Sequence, residues 1–157
     1  MNIPATLRRL LPTDDVHAHC DIPCGIYDPI TAKIAAQTVL KMVMRIQALE
    51  RPAGGPDAAY GNSLSRYIAV KEQHADLVKH EVDVLWHDYF KPEHLDAIPD
   101  LHTQIWETTK LAGANKQGVD LDAAQKLVDS VDSIAKAFWS TKGVDYDDAV
   151  ATVRFGT

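Results

Sequence analysis

The chain has 157 residues, 46% of them hydrophobic and 24% charged, and a formal net charge of −6. That length suits one domain with one core, and no apolar run reaches the roughly 18 residues of a membrane-spanning helix. The acidic balance argues against general nucleic-acid binding, which needs basic patches, and two cysteines in so long a chain make no disulfide framework, so a reducing, cytoplasmic setting is expected.

Residues 1–18 lack the apolar core of a secretory signal. They end in Val16-His17-Ala18, with a small residue directly before His19 as many processing sites have. Both cysteines then fall in His19-Cys20-Asp21-Ile22-Pro23-Cys24-Gly25. Pro23 lacks an N–H and Gly25 favours open backbone angles, so this stretch cannot continue as a regular helix and should hook back on itself. Converging thiols, an imidazole and backbone nitrogens make a soft donor set of the kind that selects late first-row transition metals. Spacing alone leaves other readings open: a strained local disulfide, a redox dithiol, or two small buried apolar residues.

Asp28-Pro29 reads as a helix start, with Asp28 at the N-cap and Pro29 at the first helical position. From Ile30 to about Leu49, the residues Ile34, Thr38, Met42, Ile46 and Leu49 recur every three or four positions and predict one buried stripe. Arg51-Pro52-Ala53-Gly54-Gly55-Pro56 breaks that helix, and Asn62 or Ser63 is expected to cap the next. The second helix should run from about Leu64 to Phe90, where Lys91-Pro92 stops it, with Leu64, Tyr67, Ile68, Ala75, Val78, Val82, Leu85 and Tyr89 inward. After an irregular turn over 92–98, a third helix starts at Pro99 and carries Leu101, Ile105, Thr108 and Leu111 until the Gly113–Gly118 stretch. The fourth follows Asp120 as N-cap, with Ala124, Leu127, Val131, Ile134 or Ala135, and Phe138 inward and Gly143 after its end. Four amphipathic helices with short links predict an all-α protein, an antiparallel four-helix bundle. Residues 144–157 read as a mobile tail or a subunit contact.

The string His19-Cys20-Asp21-Ile22-Pro23-Cys24-Gly25-Ile26-Tyr27-Asp28-Pro29 resembles the nickel-binding hook that opens the mature nickel superoxide dismutases. Lys71-Glu72-Gln73, Leu85-Trp86-His87-Asp88-Tyr89-Phe90-Lys91-Pro92 and Pro99-Asp100-Leu101-His102-Thr103 resemble the family's second and third helices, so the likeness covers roughly residues 19 to 142. It implies an enzyme that disproportionates superoxide into dioxygen and hydrogen peroxide with one nickel ion per subunit, a leader over 1–18 removed by a maturation protease, and a domain over 19–143. By the same resemblance the metal ligands are Cys20 and Cys24 through sulfur, His19 through its amine and imidazole, and Cys20 again through its amide nitrogen. Tyr27 resembles the tyrosine over the open face of the metal, and Tyr89 the second-helix tyrosine bonded to it. Asp21 and Pro23 shape the hook. An acidic chain repels superoxide at long range, so steering falls to local lysines, with Lys91 and Lys71 the candidates. A short hook at a chain end has little burial of its own, which together with the resemblance predicts a homo-oligomer, a hexamer.

Two departures stand out. Where the family supports its axial imidazole with a carboxylate from the first helix and an arginine from the second, Ala35 and His74 align, leaving His74 or Gln37 as substitutes. The evenly spaced His80, His87 and His94 are interrupted by Pro92 and, like His17 and His102, are expected to be surface or core histidines. The alternative function is a non-catalytic metal-binding or dithiol redox bundle built on Cys20 and Cys24, which would need neither Tyr27 nor a freed amine.

Overall fold

The computed structural model describes residues 25–156. Four long helices form the frame: α1 (Ile30–Gln47), α2 (Ala58–Val84), α4 (Leu101–Gln117) and α5 (Leu121–Ser140), with short helices α3 (Pro92–Ala97) and α6 (Ala151–Phe155) outside it. α1 packs on α2 and α5, and α4 packs on the same two, so the four close into a square bundle around one core. Val39, Val43, Val78, Val82, Leu101, Leu127, Val131, Ile134 and Phe138 fill its centre with no exposed surface. Each such side chain contributes about 1.5–3 kcal/mol by leaving water.

The helix starts follow their capping residues. The Asp28 carboxylate accepts from Ile30 N–H at 2.8 Å, and Asp120 accepts from Ala123 N–H at 2.9 Å. α2 begins earlier than the expected Asn62 or Ser63, because Asp57 accepts from Tyr60 N–H at 2.8 Å and is the N-cap. A glycine inside a helix costs about 1 kcal/mol, and Gly61 is accommodated there. Residues 92–98 are not an irregular turn. Pro92 suits a first helical position, and α3 forms one compact turn and a half.

The buried stripe of α1 differs from the periodicity. Ala32, Ala35, Ala36, Val39, Leu40 and Val43 face the core, whereas Ile34 is 45% exposed and Thr38 and Met42 are half-buried. α1 sits between two helices, and small alanines let their backbones approach closely, while the larger residues lie on a second, outer face. Part of that face is covered by residues 144–156, which lie along α1.

Lys71 corrects another expectation. It is 1% exposed in the middle of α2, and its Nζ donates to the carbonyls of Asn115, Lys116 and Gly118, the last two at 2.9 Å. These are carbonyls at the end of α4, so the ammonium neutralises the negative pole of that helix, although burial pushes its pKa below the usual lysine value. It is no steering residue: at 1.5 Å per residue it lies about 27 Å along the helix from Tyr89. Replacing Lys71 with Met should lower unfolding free energy by about 3 kcal/mol, the cost of orphaning buried carbonyls. Urea unfolding that shifts by less than about 0.5 kcal/mol would show that water takes the ammonium's place.

Candidate metal centre

His19, Cys20, Asp21 and Cys24 lie outside the described residues, which begin at Gly25, directly after Cys24. Gly25 has φ +73°, a left-handed turn that favours glycine. Ile26 is 74% exposed, and Tyr27 turns inward to pack on the core cluster. The chain is then committed to α1 by Asp28 and Pro29.

Tyr27 meets Tyr89, with ring centroids 5.5 Å apart and planes tilted by 54°. What brings Tyr89 there is a change of helix pitch: α2 gives way to a π-helical turn over Leu85–Tyr89, closed by Phe90 N–H donating to Leu85 carbonyl at 2.9 Å. Such a turn inserts one residue per repeat and re-aims the side chains beyond it. Tyr89 is held on several sides. Phe138 packs at 4.5 Å, His94 stacks at 5.4 Å and 13°, and the Lys142 ammonium lies 5.0 Å over the ring.

The direction of its hydroxyl follows from a proton count. Thr141 Oγ1 donates to Phe138 carbonyl at 2.6 Å, and Tyr89 Oη is hydrogen-bonded to the same Oγ1. Thr141 has one proton to give, so Tyr89 donates to Thr141 and keeps its oxygen lone pairs for an approaching donor. Lys91 is exposed two residues on, and its backbone N–H donates to His94 Nδ1 at 3.1 Å.

The structure thus brings Tyr27 and Tyr89 together, and Lys91 follows Tyr89 by two residues. Phe138, read from the sequence only as a core residue, completes the cradle with Thr141, Lys142 and His94, whose place beside Tyr89 escapes sequence reading. The one signal for the first three was the Phe138-Trp139-Ser140-Thr141-Lys142 run, where an amphipathic stripe ends in aromatics, a hydroxyl and a cation; His94 left none. Ala35 is fully buried in the core and offers no polar group. His74 Nδ1 is bonded to Val70 carbonyl at 2.8 Å, and both ends of the Gln37 amide are engaged, with Ala151 carbonyl and Arg154. Gln37 is therefore spoken for by the C-terminal stretch. His80 and His87 are exposed, His102 lies edge-on to Trp86, and among the described residues no three His, Cys, Asp or Glu side chains converge to hold a metal. No helix among them is long and apolar enough to cross a membrane.

A helical bundle with a tyrosine pair at the start of its first long helix has close relatives. Residues 14–142 match the family of nickel-containing superoxide dismutases. The chain is 43% identical over 135 residues to the nickel superoxide dismutases of Streptomyces seoulensis and Streptomyces coelicolor, spanning 86% of this chain and 96% of each relative. Solved structures of a nickel-containing superoxide dismutase, native and with the nickel ligation of the oxidised state, superpose with a TM-score of 0.68 at 40% identity, covering 80% of this chain and all of theirs. The chain belongs to the nickel-containing superoxide dismutase family.

Proposed function

We propose that His19, Cys20 and Cys24 hold the nickel ion of this superoxide dismutase, and that Tyr27 and Tyr89 guard the route to it. Membership of the family makes the chain a nickel-dependent oxidoreductase acting on superoxide. The observation that carries the site assignment is the tyrosine pair at the point where the Cys-bearing segment joins α1. The donor set fits the metal: two thiolates, an imidazole and, when His19 is the first residue, an α-amine are the soft and borderline donors that nickel takes. Bound nickel supplies a one-electron couple that lets one superoxide ion be oxidised and a second reduced.

The chain's own residues supply what that couple lacks. Two superoxide ions and two protons give one dioxygen and one hydrogen peroxide, so protons must be delivered along with the substrate. Tyr27 is half-buried with a hydroxyl able to pass a proton, and Tyr89, its own proton committed to Thr141, presents an acceptor beside it. Lys91 and the nearby Lys142 set a local positive field within an acidic protein, and Asp21 shapes the hook. The same reading makes residues 1–18 a leader cut off by a maturation protease, the working unit a cytoplasmic homo-oligomer, a hexamer, and the exposed Ile26 part of what a neighbouring subunit covers.

One preparation tests this. Protein beginning at His19 and loaded with nickel should carry one nickel per chain, lose its activity on chelation and regain it with nickel alone. It should slow as salt rises, from screening of the lysine field, and should sediment as an oligomer at micromolar concentration. Full activity in a metal-free monomer would sink the proposal.

A further inference from the structure

The stretch from 144 to 156 lies beyond the family match, which ends at residue 142, yet it is fastened to α1 at three points one turn apart. At the first, Lys33 is 3% exposed and its Nζ is paired with Asp132 of α5 and, at 3.1 Å, with Asp148. Asp148 in turn receives both Arg154 Nη1 and Nη2 at 2.8 Å. At the second, Gln37 Nε2 donates to Ala151 carbonyl at 3.1 Å and Arg154 reaches Gln37 Oε1 at 3.4 Å. At the third, the Lys41 ammonium lies 4.6 Å over the Phe155 ring. Residues 33, 37 and 41 recur every four positions, the spacing of one helical face.

The fastening is charged where it is most buried. Burial works against the Lys33 charge, but hydrogen bonds to Asp132 and Asp148 more than offset it and hold its pKa above the usual lysine value. Hydrogen bonds from Arg154 keep Asp148 below the ordinary carboxylate range.

The same stretch reaches the tyrosine pair through two rings of α5. Tyr146 stacks on Trp139 at 5.9 Å and 17°, Trp139 meets Phe138 at 5.1 Å, Phe138 meets Tyr89 at 4.5 Å, and Tyr89 meets Tyr27 at 5.5 Å. Lys33 Nζ closes the circuit 5.2 Å from the Tyr146 ring. Its backbone N–H donates to Pro29 carbonyl at 3.1 Å, two residues after Tyr27.

We propose that residues 144–156 are an intramolecular clasp that fixes the first turn of α1 and thereby aims Tyr27 and the root of the hook, with Lys33, Tyr146 and Asp148 as positioning residues. This rests on the reading of Tyr27 as a guard of the nickel site. The clasp grips α1 at Lys33, one turn after Pro29, and a turn held by a buried ion pair and by a lysine ammonium over the Tyr146 ring has little freedom to swing. A segment that added only stability would raise protection throughout the bundle alike.

The test uses metal-free full-length protein and its Asp148→Asn and Tyr146→Leu variants. Amide hydrogen exchange at Lys33 to Ala36 should accelerate by about tenfold or more in each, while Val78, Ile105 and Leu127 stay within about twofold. Asp148→Glu should restore most of the protection. Unchanged exchange at Lys33 to Ala36, or equal acceleration across the bundle, would overturn the clasp. Nickel-loaded Tyr27→Phe protein beginning at His19, with the clasp intact, tests the underlying reading separately: full activity there removes Tyr27 from the reaction without touching the exchange result.

Discussion

Cys20→Ser and Cys24→Ser should each bring nickel from one per chain to background and abolish superoxide disproportionation with it, while helical circular dichroism stays unchanged. A serine hydroxyl is a hard, weakly acidic oxygen that does not ionise near neutral pH, so it replaces neither the charge nor the softness of a thiolate. One lost thiolate also leaves the remaining donors too few to outcompete water. Among the described residues the core is built from Val39, Val78, Leu127, Phe138 and their neighbours in α1, α2, α4 and α5, so the helices should persist without either sulfur. Metal analysis and circular dichroism on one sample separate the two effects. A serine variant that retains nickel and activity would take that cysteine out of the ligand set. Loss of helix content alongside the metal would mean that the hook helps hold the bundle.

How far such a site can be read without coordinates depends on the kind of signal each residue leaves. The fourth helix is legible because Leu127, Val131, Ile134 and Phe138 are large, periodic and all on one face, and Asp120 caps where a cap is needed. α1 is not, because it is apolar on two faces. Ile34, Thr38 and Met42 keep as good a period as Ala32, Ala35 and Ala36, and only the close approach of two flanking helices selects the alanines. Lys71 looks like surface charge in any one-dimensional reading. Its role comes from three carbonyls more than forty residues away in sequence, and no local pattern encodes that meeting. Tyr89 was legible as an inward aromatic, but the π turn that aims it was not, since Leu85–Tyr89 has the composition of ordinary helix. The Cys20–Cys24 stretch differs from all of these: its residue types lie within a few positions of each other, so a resemblance can be read there, although the spacing alone leaves a dithiol or a local disulfide open.

The uncleaved 157-residue chain should fold but disproportionate superoxide at less than about 1% of the processed rate, even with nickel in excess. With Met1 to Ala18 attached, His19 presents an acylated nitrogen, whereas a freed His19 presents an α-amine with a pKa of about 8 that binds metal near neutral pH. Residues 1–18 carry Arg8, Arg9, Asp14 and Asp15, two charges of each sign, so cutting them off would leave the side-chain charge balance untouched and would change only the one proposed ligand. The four buried stripes all lie after residue 30, so folding should not register the difference. Bulk and bonding can be separated by placing a single glycine before His19 in otherwise processed protein. If the lost amine is the defect, one residue should be as damaging as eighteen. If steric blockage is the defect, the glycine form should be nearly fully active. Rates and nickel content of the three forms, measured side by side, decide between them. Processed-level activity with bound nickel in either extended form would mean that the amine is not a ligand, and the donor set proposed here would have to be redrawn around Cys20, Cys24 and the His19 imidazole alone.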